Sequence, residues 1–384
     1  MLRLIRRAFL VGAITLALCL AVDLTAGLFI GRLHRPMPDL SAIPAFRDQP
    51  YASAEFAAEY TEIQPFDTVP GTNLLWPALR RGQFYNIDKL PPTNAHYRLT
   101  ANPPDPKAPV RVVLFLGGSL IFGPGVPDDS TVPSILSRRL NADDRDHGYI
   151  VLNAGVEGAV SAQELGRLQY ELAHGLRPDI VVAFEGANDL MQGIYLGVPG
   201  SRAVSGRSRL GELIHDYLPL HIYRWLRFKL ADLATSRGER RAPAHLADET
   251  QGSALTRATV ALYTENVLAM ARLAAANGAR FIVVLNPTSN STDYVHPTPD
   301  LAFVSEASAR AHPGASELMR RIWPALAAAS SDLRHQGIEA LDLSDLFRDK
   351  TADVFIEASH FNATGHEMLA ARVADAILQG VASR

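Results

Sequence analysis

The chain has 384 residues, 47% of them hydrophobic and 20% charged, which is the composition of a globular protein with a sizeable core. Its formal net charge of −3 lacks the basic surplus that binders of phosphate backbones carry. A single cysteine, Cys19, excludes an intrachain disulfide.

A short basic head, "MLRLIRR", precedes the apolar run Ala8–Ile30, in which Asp23 is the only charge. As a helix this run is long enough to cross a hydrocarbon layer of ~30 Å. Arg3, Arg6 and Arg7 outnumber Arg32 and Arg35, which orients the N-terminus to the cytoplasm and the rest of the chain outside that membrane. A cleaved leader ending near Ala21 is the competing reading, and Asp23 supports it because a charge is costly inside a membrane helix. The apolar run resumes after Asp23, which favours an uncleaved anchor. Both readings imply export. Residues 34–109 are rich in proline and short of apolar periodicity, so they read as a linker and an irregular lead-in.

From Val110 the pattern alternates strand and helix. "VRVVLFLG" is an all-apolar strand of the kind buried on both faces. "YIVLNAG", "DIVVAFEG", "ARFIVVLNP" and "IEALDLSDL" follow as four more strands. Between and after them lie helices at Ser161–Gly175, Leu255–Gly278, around Ala315–His335, and at Ala363–Gly380. This alternation predicts an α/β/α three-layer domain on a five-stranded parallel sheet, flavodoxin-like in class. Residues 190–254 break the alternation. Their aromatic and basic stretch Pro219–Leu230 reads as a helical cap, with a helix on a membrane surface as the other reading.

Ligands of an open parallel sheet bind at the carboxyl ends of its strands. The first strand there ends on Gly117-Gly118-Ser119. The second offers Asn153, Glu157 and Gly158, and the third offers Glu185, Asn188 and Asp189. After the fifth strand come Asp353, Glu357 and His360. A glycine turn beside a serine leaves backbone N–H groups free next to a hydroxyl, the arrangement an attacking serine needs. Each residue also has a plainer explanation. Ser119 could cap the following helix, Asn188 and Asp189 could be turn residues, Gly158 a turn glycine, His360 a loop histidine and Glu357 a surface charge. Their joint occurrence favours catalysis.

Four blocks in order resemble the SGNH hydrolases, also called the GDSL lipase/esterase superfamily. They are Gly117-Gly118-Ser119, Gly158 in "NAGVEGAVS", Gly186-Ala187-Asn188-Asp189, and Glu357-Ala358-Ser359-His360. "GQFYNIDKLPPTNAHYRLT" and the "GGS" variant are similar to an exported bacterial branch associated with surface polysaccharides. The resemblance implies a serine esterase in which Ser119 attacks an ester carbonyl, His360 moves the proton and Glu357 orients the ring. An oxyanion hole then comes from Ser119, Gly158 and Asn188. It implies no metal or other cofactor, an acylated small molecule or carbohydrate as the partner, and removal of acetyl or similar small acyl groups. Two departures stand out: Gly118 replaces the family's aspartate, and Glu357 stands where the family has aspartate, with Asp353 as the backup acid. The domain plan that follows has an anchor or signal segment over 1–33, a lead-in over 34–109, and a hydrolase domain over 110–384 with its insertion at 190–254. Acyl transfer to a polysaccharide hydroxyl by the same serine, and a non-catalytic glycan-binding protein on the same fold, are the alternatives.

Overall fold

The computed structural model describes residues 2–30, 40–61, 66–68, 74–200, 249–289, 315–348, 353–357 and 359–382. The chain divides into two compact units, Met1–Met37 with Val204–Arg241, and Pro38–Ala203 with Ala242–Arg384. The described part of the first unit is helix α1, Leu2–Ile30. Its stretch Phe9–Ala26 is long and apolar enough to cross a membrane. Within it the Thr15 and Thr25 hydroxyls donate to the carbonyls of Val11 and Ala21, at 2.8 and 2.7 Å, so neither needs an outside partner. The cap expected around Pro219–Leu230 lies outside the described residues.

The second unit begins with helix α2 (Ala54–Thr61) and the short strands β1 (Phe66–Thr68) and β2 (Leu75–Pro77), which pair antiparallel. A hairpin follows, β3 (Ile87–Leu90) with β4 (Ala95–Arg98). Then come β5 (Val110–Gly117), the single turn α3 (Ser119–Phe122), α4 (Val132–Asp143) and β6 (Gly148–Asn153). After them run α5 (Ser161–Ala173), β7 (Ile180–Glu185) and α6 (Ala187–Tyr195). The last described elements are α7 (Glu249–Ala276), β8 (Arg280–Leu285), α8 (Ala315–His335), β9 (Glu339–Asp342) and α9 (Ala363–Ala382).

The main sheet runs β3-β4-β6-β5-β7-β8-β9. The five strands from β6 to β9 are parallel, in the flavodoxin-like order in which the first parallel strand lies between the second and the third. The lead-in adds two antiparallel strands at one edge, and β4 meets β6 through Arg98 opposite Asn153. That extension differs from the irregular lead-in expected from the sequence. Each of its strands is only four residues long, and a Pro-rich turn separates them, so no periodicity accumulates.

Alternation along the strands divides the core into two layers. Leu114, Leu116, Val181 and Ala183 face Leu168 of α5, Met270 of α7 and Leu326 of α8. Val113, Phe115, Val182 and Phe184 face Leu136 of α4 and Val373 of α9. All of these are buried, and fully burying a side chain of this size contributes ~1.5–3 kcal/mol. A third cluster joins the lead-in to the domain, with Phe46, Phe56 and Tyr85 packed around Phe122 and Ile356. Beside it Arg98 is fully buried. Its guanidinium pairs with Asp128 at 2.8 Å, donates to the carbonyls of Phe122 and Val126 at 2.6 and 2.7 Å, and lies 4.4 Å over the Tyr85 ring. The end of the turn that carries Ser119 is thereby fixed.

Candidate active site

β5 delivers Ser119 to the carboxyl rim of the sheet. Gly118, extended in backbone, is the N-cap of α3, and Ser119 is the first residue inside that turn. The hydroxyl of Ser119 is therefore not the cap, and it has no hydrogen bond among the described residues. Gly118 is required by close approach, because a Cβ there would run into Nδ2 of Asn188. A side chain at this position requires the Asn188 amide to move.

Gly186 turns the chain from β7 into α6 at φ +117°, a conformation that side chains rarely adopt. That turn brings Asn188 beside Gly118, where its Nδ2 donates to the carbonyl of Ala159 at 2.8 Å. The next residue, Asp189, is buried in the first turn of α6. It accepts hydrogen bonds from the backbone N–H and the hydroxyl of Ser161, at 3.0 and 2.5 Å, and Asn266 of α7 donates to the same hydroxyl at 3.0 Å. Burial raises the Asp189 carboxyl to about 6, against the lowering effect of the Ser161 hydrogen bonds. Asn188 and Asp189 thus both hold the β6–α5 turn that contains Gly158. The Gly158 carbonyl accepts from Gln192 of α6 at 2.5 Å. Asn153 has a structural part here: its side chain donates to the carbonyl of Ile121 at 2.9 Å and accepts from the N–H of Gly155 at 3.0 Å.

On the loop before α9, Glu357 and His360 form an ion pair between Oε1 and Nδ1. The same carboxylate oxygen accepts from the backbone N–H of His360 at 2.9 Å and from the hydroxyl of Ser359 at 3.0 Å. Burial pushes Glu357 up, but the charge of His360 and these hydrogen bonds outweigh it and hold the carboxyl down at about 2. Burial pushes His360 down, yet Glu357, with a contribution from Glu157, raises it above its ordinary value. The other ring nitrogen, Nε2, is buried and has no hydrogen-bond partner among the described residues. Asp353 approaches this loop through its backbone, where its carbonyl accepts from Asn362 at 2.7 Å.

One pocket is lined by Ser119, Asn188, Phe184, Asn286 and Ser359, with Gly118 and Gly186 at its turns. It joins the Gly117–Ser119 block, the Gly186–Asp189 block and the residue preceding His360. Gly158 does not line it and sits instead in the turn that Asn188 and Gln192 hold. Asn286 and Ser359 are the two polar lining residues that sequence reading did not single out. Asn286 follows β8 directly, so the rule applied to the other strand ends would have found it. Among the described residues no group of three or more His, Cys, Asp or Glu could hold a metal ion.

The GDSL-like lipase/acylhydrolase family model matches residues 115–368. No curated protein matches the chain. Among solved structures, it is similar to a lipolytic protein of the G-D-S-L family from Desulfitobacterium hafniense DCB-2, at 14% identity over 69% of this chain and 98% of that one, with a TM-score of 0.38. It is similar to the lipase/acylhydrolase from Enterococcus faecalis at 17% identity, over 70% and 95%, with a TM-score of 0.38. The psychrotrophic esterase EstA from Pseudoalteromonas sp. is similar at 15% identity, over 71% and 98%, with a TM-score of 0.35.

Proposed function

Because the chain belongs to the GDSL-like lipase/acylhydrolase family and is an ester-hydrolysing enzyme, we propose that it removes small acyl groups, acetyl above all, from an exported or cell-surface carbohydrate through a Ser119–His360–Glu357 triad. The observation that carries this reading is the His360 ring, held by Glu357 at Nδ1 with an unengaged Nε2. It stands on the loop whose Ser359 shares a pocket with Ser119.

Nε2 of His360 takes the proton of the Ser119 hydroxyl as its oxygen attacks the ester carbonyl carbon. The carbonyl oxygen gains the negative charge and is held by the backbone N–H groups of Ser119 and Gly158 and by Nδ2 of Asn188. That amide has two hydrogens, and one already goes to Ala159, so the second is available. Collapse breaks the bond to the alcohol, and the proton on Nε2 leaves with the alcohol oxygen. Water then repeats the sequence on the acyl-serine and returns the free acid. Glu357 stays ionised throughout; it fixes the tautomer and stabilises the imidazolium, as its low pKa suits it to do.

In this reading helix α1 is an uncleaved anchor that leaves the hydrolase outside the cytoplasmic membrane. A reporter fused after Arg384 is then active only when exported. Native protein recovered in soluble form with a start near Val22 contradicts the anchor. For the reaction, the purified full chain is incubated with an acetylated carbohydrate and free acetate is measured. Acetate release supports hydrolysis. Acetyl appearing on an added sugar hydroxyl in preference to water replaces it with acyl transfer by the same serine.

A further inference from the structure

We propose that Asn286 is a specificity-determining residue whose side-chain amide binds a hydroxyl of the substrate's alcohol part, next to the scissile ester. This makes a neutral polyol ester, rather than a simple alkyl ester, the substrate class. The inference rests on the reading of Ser119 as the nucleophile of an esterase.

Leu285, the last residue of β8, pairs in register with Glu185 of β7. Asn286 therefore leaves the sheet at the same height as Gly186, where the chain turns toward Asn188. It is only 3% exposed, and it lines the pocket that contains Ser119, Asn188 and Ser359. The neighbouring amides and hydroxyls are engaged: Asn188 donates to Ala159, Asn153 is bonded at both ends, and the Ser359 hydroxyl donates to Glu357. The Asn286 amide has no hydrogen bond among the described residues. An amide that lines a pocket without a protein partner is available to a polar group of a ligand.

The chemistry of that partner follows from the pocket. A carboxamide offers two donor hydrogens and an acceptor oxygen, so it pairs best with a group that both donates and accepts, as a hydroxyl does. Among the described residues no Asp, Glu, Lys or Arg lines the pocket. Leu120, Phe184 and Ala187 supply apolar wall for the C–H faces of a sugar or polyol ring. The mixture suits a neutral, hydroxylated alcohol. Asn286 lies outside the triad and the oxyanion donors, so its loss weakens substrate choice and leaves the chemistry intact.

The test uses the full chain and its Asn286→Ala and Asn286→Ser variants on two esters of one acyl group, a monoacetylated methyl glucoside and ethyl acetate. Losing a hydrogen bond inside a pocket costs about 10- to 100-fold, so Asn286→Ala should lower kcat/KM on the sugar ester by that factor, mainly through KM. Its kcat/KM on ethyl acetate should change by less than ~3-fold. Asn286→Ser, which restores a hydroxyl, should recover part of the loss. Equal losses on both esters, or none on either, overturn the proposal. If Asn286→Ala does not fold, the Asn286→Ser ratio between the two esters decides by the same criterion. If the wild-type chain turns over ethyl acetate but no sugar acetate, the polyol class is wrong and the esterase reading stands. If the wild-type chain hydrolyses neither ester and a phosphonate fails to label Ser119, the esterase reading has failed, and this inference with it.

Discussion

Glu357 accepts hydrogen bonds from both the ring and the backbone N–H of His360, so one carboxylate fixes the position and the tautomer of the ring together. The three-residue spacing makes this possible: a single turn folds the side chain back over the loop, and the extra methylene of glutamate is absorbed within that turn. Replacing Glu357 by Ala should lower kcat by about 10²–10⁴-fold, since the ring loses its orienting partner. Glu357→Asp should keep substantial activity. Asp353→Ala should be mild, because Asp353 meets this loop through its carbonyl.

A pH profile reads the same pair without relying on rate alone. His360 works as a base only when deprotonated, so kcat/KM rises with pH through its pKa. Burial lowers that pKa, and the charge and hydrogen bond of Glu357, with the charge of Glu157, together raise it by more, so the acid limb of the wild-type profile should lie above the ordinary histidine value of 6.5. In Glu357→Gln the larger raising influence is gone while burial persists, and the limb should move to lower pH. An acid limb that stays in place shows that Glu357 does not control the catalytic base.

Gly118 and Asn188 form a second coupled pair. If Asn188 is the oxyanion donor proposed above, Asn188→Ala should lower kcat by about 10²–10³-fold with little change in KM. Gly118→Ala should lower kcat in the same direction, because its Cβ displaces the Asn188 amide. Full activity in Gly118→Ala shows that the amide can move without loss and is not the donor. A rise in KM alone for Asn188→Ala makes it a substrate contact.

The lead-in buttresses the histidine loop. The Tyr51 hydroxyl accepts from the backbone N–H of Ala363 at 3.2 Å, and Asn362 donates to the carbonyl of Ala45 at 2.8 Å. Phe46 is fully buried in the same cluster as Ile356. Phe46→Ala should destabilise the protein by about 3–5 kcal/mol, and Tyr51→Phe by about 1 kcal/mol. Urea unfolding reads both. Unchanged midpoints show that the lead-in does not support the catalytic loop.

β5 to β8 were legible because each carries an apolar run long enough to stand out, and β9, short and mixed, through its place after the helix α8. The hairpin was not legible: "IDKL" and "AHYR" are short and mixed, and what places them is pairing with β6 rather than any internal pattern. Helix α4 carried a usable signal that was passed over, a Thr131 cap accepting from the Ser134 N–H with Pro133 in the first turn. Asp189 read as a turn residue, yet it is a buried tie to Ser161, and burial of a single carboxylate leaves no trace in sequence spacing. Asn286 stands directly after β8, so it could have been read by the strand-end rule, but Asn-Pro there also reads as an ordinary turn.

The central claim is that Ser119 is the nucleophile, and covalent labelling tests it most directly. The full chain is treated with a serine-directed alkyl phosphonate, and the intact mass and the modified peptide are measured, with Ser119→Ala alongside. The account predicts one phosphonyl group per wild-type chain, located on Ser119, parallel loss of acetyl-ester hydrolysis, and neither labelling nor turnover in a folded Ser119→Ala. A label on another residue, or retained hydrolysis in Ser119→Ala with an unchanged circular-dichroism spectrum, contradicts it.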